Sequence, residues 1–141
     1  MGTHRIVFRV YYEDTDAGGV VYHARYLAFA ERARTEAIRS VGASVVDLAR
    51  DEGLAFVVRQ ADIRYLAPVR LDDEIEIETS LVDMSPIRLR LAQQFRNITR
   101  GNVVCTTIAI ELTSIAIDSM KPAAIPPQWR DLVTKLACRA A

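Results

Sequence analysis

The sequence has 141 residues, and 50% of them are hydrophobic, which is enough for one domain with a buried core. The 18 basic and 18 acidic side chains give a formal net charge of +0 at pH 7, which argues against a general nucleic-acid or membrane-surface binder. No apolar run approaches the roughly 20 residues needed to span a bilayer, and the opening MGTHRIVFRV does not have the pattern of a signal peptide.

The N-terminal third of the sequence predicts one strand followed by a long helix. β-Branched and aromatic side chains over residues 4–12 favour a strand. Helix formers then dominate from about Tyr22 to Val41, where apolar and alanine positions recur at steps of three and four residues and define one face. Gly42 is typical of a helix end, and residues 44–52 predict a second, short helix.

The rest of the sequence predicts four strands and a closing helix. The strand patterns cover residues 54–66, 73–83, 87–95 and 103–117. A change in the apolar phase near Thr113 predicts a bulge, and residues 128–139 predict the helix. Successive strands favour an antiparallel sheet, so we expect one α+β domain, residues 1–141, in which about five strands wrap around one long helix. The edges of such a sheet invite pairing with a second copy.

One short stretch, YYEDTDAGGVVYHARY, concentrates charge and glycine where the first strand passes into the helix. Its acids and glycines are typical of a turn. A calcium loop is the second interpretation, because Asp14, Asp16 and Gly19 match the start of an EF-hand loop. However, Gly18 and Arg25 stand where that loop needs ligands, so the sequence disfavours calcium.

The third interpretation of this junction is catalytic. No Ser, Thr, Asp or Asn immediately precedes the predicted helix, so its first N–H groups lack an obvious side-chain cap. Free N–H groups at the positive end of a helix dipole stabilise a developing negative oxygen. Asp16 lies a few residues upstream, and a carboxylate that faces such a helix terminus suits acyl transfer.

The same stretch resembles the hot-dog-fold acyl-CoA thioesterases of the 4-hydroxybenzoyl-CoA thioesterase type, and looks closest to the bacterial subfamily associated with the Tol–Pal envelope system. The residues that carry the resemblance follow the motif D-x-D-x-x-G-x-V-x-x-x-x-Y. The similarity continues through RYLAPVRLDDEIEIET and KPAAIPP, and so covers nearly the whole chain. It implies a long central helix wrapped by a curved antiparallel sheet, with protomers paired edge to edge and assembled as a homotetramer, a dimer of dimers.

By this resemblance Asp16 is the catalytic carboxylate, either as the nucleophile or as the base that activates water. The backbone N–H of His23 is the donor to the thioester carbonyl. The His23 side chain matches a histidine typical of the subfamily, and a catalytic role and a structural role at the helix start both stay open. The remaining substrate-binding positions are Gly19, Val20, Tyr22 and Tyr26. We expect the two tyrosines to pack rather than react.

Coenzyme A carries phosphates, which need basic groups near the mouth of a cleft. The candidates are Arg64, Arg88 and Arg90, because each lies on a predicted strand beside apolar alternation. Glu31 lies in the middle of the predicted helix, where other hot-dog thioesterases place a catalytic carboxylate. We interpret it as a supporting residue, because Asp16 already supplies the carboxylate of the motif.

The sequence therefore predicts a cytoplasmic acyl-CoA thioester hydrolase with no metal and no cofactor, the coenzyme A being part of the substrate. Cys105 and Cys138 stand alone and give neither a metal-ligand spacing nor a disulfide framework. Two alternatives stay open. One is a hot-dog dehydratase that uses His23 as the base on a hydroxyacyl thioester. The other is a non-catalytic module that binds acyl-CoA or acyl carrier protein. The acyl group stays open among short, long and aromatic chains.

Overall fold

The computed structural model of the chain describes residues 2–137, so Cys138 and the end of the predicted helix 128–139 lie outside the described residues. The sheet has five antiparallel strands in the order β1-β3-β4-β5-β2. The strands are β1 His4–Arg9, β2 Leu54–Tyr65, β3 Glu74–Met84, β4 Arg88–Asn97 and β5 Val103–Ala116. The helices are α1 Arg25–Ser40, α2 Val45–Asp47, which continues as a π-helical turn Leu48–Glu52, and α3 Pro127–Thr134. The predicted α+β hot-dog architecture is confirmed.

The long helix α1 packs on the sheet through a face made largely of alanine. Ala30, Ala33 and Ala37 are at most 1% exposed, so the helix backbone lies close to the strands. Opposite this face, alternate side chains of β3 and β4 are fully buried, among them Ile77 and Phe95. Each such side chain contributes roughly 1.5–3 kcal/mol of stability by leaving water.

Three predicted boundaries differ from the structure. The first strand ends at Arg9 because the chain turns there into a short 3₁₀ helix, Tyr12–Asp14. The long helix starts at Arg25 rather than Tyr22, because the Tyr22 N–H donates to the Asp14 carbonyl at 2.9 Å and holds Tyr22 outside the helix. The last helix ends at Thr134, after which the Leu81 N–H of β3 donates to the Leu136 carbonyl at 2.9 Å.

The bulge predicted near Thr113 falls on the neighbouring strand: β2 carries an extra residue, Arg59, opposite Leu112 and Glu111 of β5. β5 has its own extra residue at Cys105, where Phe95 pairs with Thr106 and the next residue of β4 pairs with Val104. The apolar phase changes near Thr113 because every residue from 112 to 115 is buried, on both faces of the sheet. One face is covered by the chain that leads into α3, which bridges to β5 between Pro122 and Ile115.

The two edges of the sheet differ. The edge strand β2 is 12 residues long and mostly exposed, whereas the other edge strand, β1, has 6 residues. Part of β3 extends beyond β1, and there the C-terminal segment takes its place through a bridge from Ala137 to Leu81. Within residues 2–137, no helix is both long enough and apolar enough to cross a membrane.

Candidate active site

The junction between β1 and α1 folds as a tight hairpin-like loop. The Asp16 N–H donates to the Val20 carbonyl and the Tyr22 N–H donates to the Asp14 carbonyl, both at 2.9 Å. The loop is anchored to the segment before β3, because the Val21 N–H donates to the Val69 carbonyl at 2.8 Å. These bonds place the glycine pair at the tip of the loop.

The glycine pair lets the Asp16 side chain fold back over the tip. Oδ1 of Asp16 accepts a hydrogen bond from the Gly18 N–H at 2.8 Å, and a Cβ at Gly18 would lie only 3.2 Å from that oxygen. Gly19 has a φ of +79°, a left-handed conformation that side chains rarely adopt. The carboxylate of Asp16 is exposed in the single chain and is held in a fixed place by the loop.

Asp14 organises the base of the same loop. It is 3% exposed, and its Oδ1 accepts hydrogen bonds from Arg25 Nη2 at 2.7 Å and Arg25 Nε at 3.1 Å. Its Oδ2 accepts from the Tyr11 N–H at 2.9 Å. The interpretation of Asp14 as a turn-forming residue is confirmed. Because both oxygens are occupied by N–H donors, they are not placed as calcium ligands.

The His23 backbone borders a cavity of about 270 Å³. The cavity is lined by Val20, Val21, His23, Tyr26, Tyr65, Leu66, Ala67 and Pro68. The His23 carbonyl accepts a hydrogen bond from the Tyr65 hydroxyl at 2.9 Å, which fixes the peptide. Among residues 2–137, nothing accepts a hydrogen bond from the His23 N–H, which lies in the turn just before the N-cap of α1, Ala24. Such an amide can donate to an oxygen that enters the cavity.

The cavity wall includes a buried tyrosine that packs rather than ionises. Tyr26 is 4% exposed, and its ring lies 5.3 Å from that of Tyr65 and 5.9 Å from that of Phe95. Burial raises the pKa of the Tyr26 hydroxyl to about 12, so it stays neutral at pH 7. The Tyr22 ring is exposed and lies 4.5 Å from the His23 ring.

The structure brings some of the predicted site residues together and separates others. Val20, His23 and Tyr26 line the one cavity. Asp16 is not among the residues that line it: its N–H donates to the Val20 carbonyl, and its Oδ1 accepts from the Gly18 N–H at the loop tip.

The three predicted arginines lie at different ends of the sheet. Arg64 lies next to Tyr65 on β2, at the end of the sheet that holds the His23 cavity. Arg88 and Arg90 lie at the start of β4, and Arg90 pairs there with Asp83 at 2.9 Å. Arg90 pairs across the sheet with Glu111 of β5, and Glu111 pairs in turn with Gln60 of β2. Of these three arginines, Arg64 is therefore the one that lies near the cavity within the chain.

Sequence reasoning missed Tyr65, whose hydroxyl fixes the His23 peptide. Tyr65 belongs to the stretch RYLAPVRLDDEIEIET that carries the resemblance, but its partner lies 42 positions earlier in the chain. No local pattern gives that pairing. Glu31, the other helix carboxylate, is exposed and lines a separate cavity between α1 and β2.

Comparison with known proteins adds relatives that match most of the chain. Residues 10–133 match the thioesterase-like superfamily. The acyl-CoA thioester hydrolase YbgC of Escherichia coli O6:H1 is 46% identical over 118 residues, which cover 84% of this chain and 86% of that protein. The acyl-CoA thioesterase YbgC of Haemophilus influenzae is 39% identical over 120 residues, 85% of this chain and 86% of that protein.

Solved structures show the same architecture. A probable thioesterase from Bartonella henselae superposes with a TM-score of 0.82 at 36% identity, covering 89% of this chain and 100% of that chain. A DHNA-CoA thioesterase from Staphylococcus aureus superposes with a TM-score of 0.88 at 25% identity, covering 96% of this chain and 91% of that chain.

Proposed function

This chain belongs to the thioesterase-like superfamily, and from that premise we propose that it hydrolyses acyl-CoA thioesters with the His23 amide and the Asp16 carboxylate as the reacting site. One observation carries the proposal. His23 lines a cavity and its N–H is hydrogen-bonded to nothing within residues 2–137, while the Tyr65 hydroxyl donates to the same residue's carbonyl. An unused N–H beside a cavity, on a residue whose carbonyl is held in place, is a suitable donor to a developing oxyanion.

In the proposed reaction, the thioester carbonyl oxygen accepts a hydrogen bond from the His23 N–H, which makes the carbonyl carbon more electrophilic. In one route Asp16 takes a proton from a water molecule whose oxygen attacks that carbon. In the other, the Asp16 carboxylate attacks directly, expels the CoA thiolate and forms an acyl anhydride that water then opens. Both routes consume one water and yield a free acid and coenzyme A.

Rapid-quench mass spectrometry separates the two routes. An acyl adduct on the parent protein that Asp16→Asn abolishes supports direct attack, and hydrolysis without any adduct supports the water route.

The second part of the proposal is the assembly. Val57 and Val58 of the edge strand β2 are 37% and 53% exposed, and a two-fold pairing of this strand with a second copy covers them. Antiparallel pairing of identical strands sets the Leu54 end of one copy beside the Tyr65 end of the other. Arg88 and Arg90 then approach the cavity of the partner, where they complement Arg64 around the CoA phosphates. Two such dimers form the proposed homotetramer, which works in the cytoplasm.

A thiol-release assay across a panel of acyl-CoA thioesters tests the proposed activity. We expect thiol release from the parent and from Asp118→Asn, an exposed aspartate in a turn far along the chain, and almost none from Asp16→Asn. An enoyl product from a hydroxyacyl thioester indicates the dehydratase instead. Saturable binding of acyl-CoA or acyl carrier protein without thiol release indicates the binding module.

A further inference from the structure

A charged side chain lies in the core of this protein. Arg34 of α1 is 8% exposed and belongs to the helix face that packs on the sheet. Its Nη1 donates to Gln93 Oε1 of β4 at 3.1 Å. Gln93 is itself 1% exposed, and its Nε2 donates to the Ala30 carbonyl at 2.9 Å and to Thr79 Oγ1 at 3.1 Å. Neutral groups therefore fix the guanidinium in place.

No anion neutralises this guanidinium within residues 2–137. The bond to Gln93 is the single hydrogen bond that Arg34 donates to those residues, and none of their carboxylates lies within 4.0 Å of it. Burial lowers the pKa of Arg34 from its ordinary value, while the nearby Glu31 partly offsets the effect. A guanidinium still stays charged at neutral pH, and no nitrogen of Arg34 is fully enclosed without a partner, so its unused donors face accessible space at the edge of the core. Burying such a charge without a partner is costly.

The guanidinium borders a cavity that can accept a partner. This cavity, of about 320 Å³, lies between α1, α2 and β2. Apart from Glu31, Arg34 and Thr35, its lining is apolar: Ile38, Val45, Leu48, Ala55, Phe56, Val58 and Leu112. At roughly 30 Å³ per water-sized volume, it holds about ten non-hydrogen atoms. Arg34 lies 11 residues after His23, about 16 Å along the helix, so this is not the His23 cavity of the same chain.

We propose that the cavity between α1 and β2 binds a carboxylate carried on an apolar chain, with Arg34 as the group that pairs with the carboxylate. The apolar walls take the chain and the planar guanidinium takes both carboxylate oxygens. Such a carboxylate has two sources: a free organic acid, or the distal carboxylate of a dicarboxylic acyl group. The second source rests on the proposed function, because β2 pairing sets the Ala55 end of the cavity beside the partner's Tyr65.

Trp129 reports occupancy of this cavity directly. It is the single tryptophan of the sequence, and its ring lies 5.7 Å from that of Phe56 in the cavity wall. We expect octanoate, which has ten non-hydrogen atoms, to change the fluorescence saturably. The neutral isostere octanamide binds at least about tenfold more weakly, since a charged hydrogen bond contributes more than a neutral one. Equal affinity for octanoate and octanamide overturns the proposal.

Two arginine variants test whether Arg34 causes the preference for octanoate over octanamide. Arg34→Gln removes the charge and keeps a donor, so it is expected to bind octanoate no better than octanamide. Arg32→Gln makes the same change at an exposed position of α1 and retains the preference. Where Arg34→Gln does not fold by circular dichroism, Ala55→Phe serves as the second variant, because it fills the cavity and leaves Arg34 intact. Octanoate binding to either folded variant with the affinity of the parent contradicts the assignment.

A kinetic arm separates the two sources. Glutaryl-CoA and valeryl-CoA have five-carbon acyl groups that differ in a terminal carboxylate. A selective loss of kcat/KM for glutaryl-CoA in Arg34→Gln identifies the acyl group as the source, and an unchanged ratio of the two kcat/KM values, with octanoate preference intact in the parent, identifies a free acid. Asp16→Asn is expected to bind octanoate like the parent, so failure of the proposed hydrolysis leaves this test readable.

Discussion

Replacing Asp16 by Asn separates the shape of the junction loop from its chemistry. Asn keeps an Oδ1 acceptor for the Gly18 N–H, which Asp16 bonds at 2.8 Å, so the loop tip keeps its conformation. The lost charge lies at an exposed position, where the change costs about 0.5 kcal/mol or less of stability. The same change removes the base or nucleophile, which accounts for about 10²–10⁴-fold in rate. We therefore expect kcat to fall about 100-fold or more with little change in the urea midpoint.

Steady-state thiol release and urea denaturation, measured on the same preparations, check this expectation. Asp16→Ala adds a second comparison, because it removes the acceptor as well and is expected to lower stability by about 1 kcal/mol. Asp118→Asn controls for the loss of a negative charge. A turnover of Asp16→Asn within a few-fold of the parent would falsify the proposed role of the carboxylate.

Three further predictions concern the loop, the core and the edge of the sheet. Gly19→Ala places a side chain at a φ of +79° and is expected to lower the free energy of unfolding by about 1 kcal/mol in urea, whereas Gly2→Ala, with open space around it, is neutral. Burial raises the pKa of Asp73, but hydrogen bonds from Arg100, the Arg70 N–H and Asn97 outweigh it, so the folded pKa lies below the ordinary 3.8. Asp73 therefore stabilises the fold above its ordinary pKa, and this stabilisation is lost as the pH falls through the folded pKa. Asp73→Asn is expected to flatten the acid side of the plot of unfolding free energy against pH, and an unchanged slope there contradicts the assignment. Val58→Lys on β2 is expected to reduce the oligomer mass in light scattering, while Val103→Lys, similarly exposed on β5, leaves it unchanged.

The order and type of the helices and strands could be predicted because buried side chains recur with a different period in each kind of element. The alternation in β3 and the three-and-four spacing of α1 follow from burying one face of each element. Boundaries were less readable because tertiary hydrogen bonds decide them. Tyr22 looks helical by propensity, yet its N–H belongs to Asp14, and the last helix stops where Leu136 meets β3.

The candidate site could likewise be predicted only where a local pattern marks the residues. The glycine pair and Asp16 stand out in the sequence because the loop needs a positive φ and a close approach at its tip. Tyr65 does not stand out, because its partner lies across the fold. No local pattern marks Arg34 either, and the bond to Gln93 on a central strand is what shows that the guanidinium points into the core.

The unequal edges of the sheet limit how large an assembly can grow through strand pairing. The short edge β1 carries Arg5 and Arg9, both tied by ion pairs to glutamates of β3, and such charged side chains discourage a further strand. The long edge β2 has one comparable pair, Arg59 with Glu111 of β5, but it is twice as long and also presents the exposed Val57 and Val58. If copies pair through β2 alone, as proposed, each copy has one pairing edge, so the joined sheet ends at two copies, whereas a fibre requires two pairing edges on every copy.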